Sequence, residues 1–131
     1  SHLPHLQLTR YGILLSQAES KASADPDRGI ADLLAIPTEI DKLPPATASA
    51  RALRFIKAQA FSNAGWFQGQ ARQYDAAINS LSQAAALFER LAAEDPSQTN
   101  TYFDLAGAYR ALGFVHEYAG RFEGAVAPLR K

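Results

Sequence analysis

Apolar residues recur at helical spacing along almost the whole chain, and no segment sustains the alternation of a strand. The pattern predicts an all-α protein of six helices in three antiparallel pairs. The first helix covers about residues 6–23, with Leu8, Tyr11, Leu15 and Ala18 on one face. Asp25-Pro26 follows: a good capping residue, then a proline suited to the first helical position. The second helix carries Ile30, Leu33, Leu34, Ile36, Ile40 and Leu43. Pro37 predicts a kink or break near Ile36, and Pro44-Pro45 ends the helix.

The third helix is expected to start between Thr47 and Ser49 and to reach Gly69, with Phe55, Ala58, Phe61, Ala64 and Gly65 as its stripe. The fourth spans about residues 72–94, with Ala77, Ile78, Leu81, Ala84, Ala85, Phe88 and Leu91 inward. Asp95-Pro96-Ser97 interrupts the pattern. The fifth covers about residues 99–119 and carries Phe103, Ala106, Tyr109, Leu112, Gly113 and His116. Gly120 is expected to turn the chain, since glycine accepts a positive φ without a Cβ clash. A sixth helix then runs to Lys131, with a modest kink where Pro128 presses on the carbonyl of Gly124.

Two stretches repeat. Gly65 and Gly113 lie 48 residues apart, and at that offset Phe61-x-x-Ala64-Gly65 matches Tyr109-x-x-Leu112-Gly113. Trp66-Phe67 then matches Phe114-Val115, Gln68 matches His116, Tyr74-Asp75-x-Ala77 matches Phe122-Glu123-x-Ala125, and Leu81 matches Leu129. Each copy reads aromatic-x-x-small-Gly, then aromatic-acidic-x-Ala, then Leu. Each glycine would let two helices approach closely, and Ala77 and Ala125 would supply the small surface opposite.

This pattern resembles the tetratricopeptide repeat in a long-helix form, over residues 47–131. The resemblance implies a stack of about three helical hairpins in a right-handed superhelix. Residues 47–94 form one repeat and 95–131 a second, truncated one. Residues 1–46 form either a degenerate first repeat, which is favoured, or a capping hairpin. The standard period is about 34 residues; the 48 here adds about four helical turns, shared by the helices flanking Asp95-Pro96. The proline that the family places in its second helix falls on Glu89, so that helix continues. Long-helix variants of this kind are similar to segments of bacterial signalling and regulatory proteins.

Composition narrows the function classes. The 131 residues suit one domain, and 13 Lys and Arg against 13 Asp and Glu leave no basic footprint for nucleic acid. No apolar run approaches the length of a membrane span, so no membrane insertion is expected. The absence of cysteine excludes disulfides and thiol catalysis and leaves the redox compartment open. A cytoplasmic location is the favoured expectation. The start at Ser1-His2 and the lack of Met suggest an excised piece of a longer protein behind a cloning remnant.

Catalytic chemistry finds little support in the residues. His2 and His5 have helical spacing at a terminus, and His116 stands where the repeat has an aromatic, so it is expected to pack between helices. Asp25, Asp27 and Asp32 with Gly29 lack the spacing and the late Glu of a calcium loop, and capping by Asp25 accounts for them. There is no phosphate-binding loop or nucleophile elbow. The expectation is a non-enzyme with no metal site and no cofactor.

The resemblance implies instead that the first helix of each pair lines a concave groove. Carried over, that gives Gln59, Ser62, Trp66 and Gln70 from one repeat, and Arg110, Phe114, Glu117 and Tyr118, with Gly107, from the other. Trp66 and Phe114 either face this groove or pack inside the chain. Phe61, Gly65, Tyr74, Ala77, Leu81, Tyr109, Leu112, Gly113, Phe122 and Ala125 are the structural positions of the repeat. The implied function is a scaffold that binds a protein or peptide partner. The alternatives are self-association as a homo-oligomer through uncapped C-terminal helices, and a sensor domain of a multidomain protein.

Overall fold

A computed structural model describes residues 3–126, with side chains over residues 5–120. The described chain is all-helical, with α1 at Leu3–Ala24, α2 at Pro26–Asp41, α3 at Pro45–Ala48, α4 at Arg51–Gln70, α5 at Tyr74–Glu94 and α6 at Thr99–Val126. The α1–α2 boundary forms for the reason read from sequence. Asp25 caps α2 by accepting from the Arg28 N–H at 3.4 Å, and Pro26 occupies the first turn. Asp32 pairs with Lys21 at 2.6 Å across the same hairpin. Gly29 is buried against the Ala22 backbone, where any side chain would collide.

Pro37 does not break α2, which continues to Asp41 with Ile36, Pro37 and Ile40 buried. After Leu43 the chain forms one extra turn, α3, because Pro45 serves as a helix start as well as a stop for α2. The long helix expected from Thr47–Ser49 therefore begins at Arg51, and the next begins at Tyr74.

The helix α4 is the centre of the molecule. One side packs on α1 and α2 through a cluster that includes Tyr11, Leu15, Leu33, Ile36, Ile40, Leu53, Ile56, Ala60 and Ala64. Its other side meets α5 and α6 through Ala58, Ala84, Phe88, Leu91 and Ala108. Phe55 meets Phe88 edge-to-face at 5.6 Å between ring centroids. Alanine at so many contact positions lets the helices lie close together, which a larger side chain would prevent.

Gly65 lies where α4 and α5 approach closely. A Cβ there would lie 2.5 Å from Leu81 Cγ and 3.3 Å from the Ala77 carbonyl oxygen, so the missing side chain is what admits α5. Gln68 accepts a buried hydrogen bond from the Ser80 hydroxyl at 2.7 Å across the same seam. At the far end of α5, Glu94 takes a two-pronged hydrogen bond from Arg54, at 2.6 and 2.8 Å.

The third hairpin is not formed among the described residues. Gly120 is not a turn: α6 continues through it to Val126, and among the described residues no glycine has a positive φ. Glycine permits a left-handed turn without enforcing one. Gly113 accordingly has nothing within 4 Å of an added Cβ, and its neighbours Tyr109 and His116 are exposed rather than packed between helices. The side chains of Phe122 and Ala125 and the whole of Pro128 lie outside the described residues.

Candidate functional site

The end of α4 and the start of α5 are joined by a tight cap. Gln73 N–H donates to Gln68 O at 2.9 Å and Arg72 N–H donates to Gly69 O at 3.1 Å. This is a Schellman motif, whose penultimate position needs a left-handed residue. Arg72 takes it, at φ 63°. Glycine usually holds this position; here it is taken by an exposed arginine.

Beside that cap, α6 crosses the α4–α5 hairpin and leaves a cleft of about 270 Å³. Trp66, Gly69 and Gln70 of α4 form one wall, Arg72 and Tyr74 the turn, and Ala111, Phe114, Val115 and Tyr118 of α6 the other wall. Trp66 is 49%, Phe114 45% and Tyr118 50% exposed, so each residue is about half open to solvent. Trp66 stands on a ridge, since it also borders a second recess with Glu19, Ser23, Asn63 and Phe67. In that recess Glu19 accepts from the Asn63 amide, and burial pushes the Glu19 carboxyl above its ordinary affinity for protons.

Of the eight groove residues nominated from sequence, the structure brings Trp66, Gln70, Phe114 and Tyr118 into one cleft. Gln59 and Ser62 are half-buried on α4, while Arg110 and Glu117 are exposed on α6; none of these four lines it. Gly69 and Arg72 escaped the sequence reading. A Cβ on Gly69 would sit 3.1 Å from Val115 Cγ2, so glycine keeps α6 close and the cleft floor open. The one available signal was the repeat register, which aligns Arg72 with Gly120 and so marks a turn.

No family model matches the chain, and no curated protein or solved structure matches it either.

What the cleft can do follows from its lining. Three half-exposed rings offer flat apolar faces, and Gln70 and Arg72 offer hydrogen-bond donors at the rim. Its volume falls just short of the roughly 300–1,000 Å³ of small-molecule sites, which suits one or two side chains. Among the described residues no three His, Cys, Asp or Glu side chains come together. No helix among them is long and apolar enough to cross a membrane.

Proposed function

We propose that this chain is a non-catalytic, tetratricopeptide-like helical module that binds an extended or helical peptide segment of a protein partner through the aromatic cleft. The observation that carries this reading is the convergence of Trp66 from α4 with Phe114 and Tyr118 from α6 beside Arg72. Half-exposed Trp and Tyr, with Arg at the edge, are the residue types that concentrate binding energy at interfaces. The repeat-like seam at Gly65, Ala77 and Leu81 supports the fold part of the reading. The matching peptide would place one aliphatic or aromatic side chain between the rings and a carboxylate or backbone carbonyl near Arg72.

The test uses a random peptide display library selected on the wild-type chain. Selected peptides should bind Phe114→Ala at least ten times more weakly, about 1.4 kcal/mol, while its helical circular dichroism is unchanged. Equal binding to the variant would sink the proposal.

A second reading is self-association through α6. It is favoured by Phe103, which is 79% exposed, with Tyr102 and Tyr109 also open on that helix. Light scattering that shows a strict monomer at high concentration would remove it.

A further inference from the structure

The N-terminal end of α4 borders another recess, of about 410 Å³, walled by α1, α4 and the start of α6. It lies far from the aromatic cleft: Arg51 precedes Trp66 by fifteen residues, about 22 Å along the helix. Leu8 of α1 and Ala52, Phe55 and Ile56 of α4 give it an apolar surface. Gln98, Asn100 and Thr101 add polar groups from the α6 side. Its volume lies within the roughly 300–1,000 Å³ of small-molecule sites.

Arg51 is the one charged residue of this lining among the described residues, and its hydrogen bonding is incomplete. Arg54 engages both oxygens of Glu94, at 2.6 and 2.8 Å, whereas Arg51 Nη1 reaches Glu94 Oε1 only at 3.5 Å. Arg51 Nη2 is buried with no hydrogen-bond partner among the described residues. A buried donor left unmade costs free energy, and more so when the group is charged. The surrounding charge also favours an anion. Arg51, Arg54 and Arg90 act on Glu94, and Arg51 acts on Asp95 as well, so three guanidinium groups stand with two carboxylates.

We propose that this recess binds a small apolar carboxylate, with a carboxylate oxygen accepting from Arg51 Nη2 and the hydrocarbon part lying against Leu8, Phe55 and Ile56. The guanidinium supplies a charge-assisted hydrogen bond. The apolar lining requires the tail, because a bare inorganic anion would leave that surface unfilled. The site is separate from the peptide cleft, so either can fail without the other.

Octanoate below its micellar concentration is the probe, and protein amide NMR shifts locate it. Shifts at Ala52, Ile56 and Thr101 should saturate while Trp66 emission stays unchanged. Arg51→Gln should weaken binding about tenfold or more. Ala52→Phe keeps Arg51 and fills the recess from an exposed position, so it should weaken binding to a similar degree even if Arg51→Gln loses its fold. Octanol, which lacks the charge, and acetate, which lacks the tail, should both bind more weakly than octanoate. Octanoate that fails to saturate these shifts at millimolar concentration overturns the proposal. So does undiminished affinity in folded Arg51→Gln or Ala52→Phe, equal binding of octanol, or equal binding of acetate, which would mark an adventitious ion only.

Discussion

Gly65 and Leu81 fit together as socket and plug: a Cβ on the glycine would stand 2.5 Å from Leu81 Cγ, in a seam where Leu81 is fully buried. The contact explains why a central helix carries a residue that weakens it by about 1 kcal/mol. Gly65→Ala must push a packed leucine or the α5 backbone, and should destabilise the chain by roughly 1–3 kcal/mol. Gly107→Ala, on the open side of α6, should instead stabilise it by up to about 1 kcal/mol. Urea denaturation of both variants checks the contrast in sign.

Arg72 holds a left-handed backbone that costs a non-glycine residue about 1–2 kcal/mol. Arg72→Gly should therefore raise stability by about 1 kcal/mol, less the entropy glycine regains on unfolding. If Arg72 also contacts the partner, the same variant should bind selected peptides more weakly. Denaturation and calorimetry on one variant separate the two effects.

Hydrogen bonding from Arg54 holds the Glu94 carboxyl below the usual carboxylate range and raises Arg54 further. An acid depressed in the folded state stabilises it above the unfolded midpoint, about pH 4.3 for Glu, and loses that effect as pH falls through the depressed value. The wild type should therefore be more stable than Glu94→Gln at pH 7. The two should converge on acidification below about pH 4, as measured by thermal melts across pH.

Much of this architecture is legible in the sequence because it is local. Asp25-Pro26 and Asp95-Pro96 mark boundaries through capping and lost donors, which act within one turn. The internal offset of 48 also finds Gly65 opposite Ala77, because that contact lies within one hairpin. Other features depend on partners far along the chain. Pro37 stays helical where its helix is buried against α1 and α4. Gly120 continues a helix because glycine only allows the turn that Arg72, in the packed α4–α5 hairpin, adopts despite its side chain. Half of the nominated groove residues miss the cleft for a related reason. The register locates residues along α4 and α6, while the crossing of the two helices decides which of them meet.

Trp66 can report directly on the proposed binding of a peptide partner in the Trp66–Phe114–Tyr118 cleft. It is the chain's single tryptophan and about half exposed at the cleft. The decisive measurement is a titration of a display-selected peptide followed by both calorimetry and Trp66 emission. A saturable blue shift should share the calorimetric midpoint and be lost together with binding in Phe114→Ala. Calorimetric binding that leaves Trp66 emission unchanged, or that persists in Phe114→Ala, would contradict binding in this cleft.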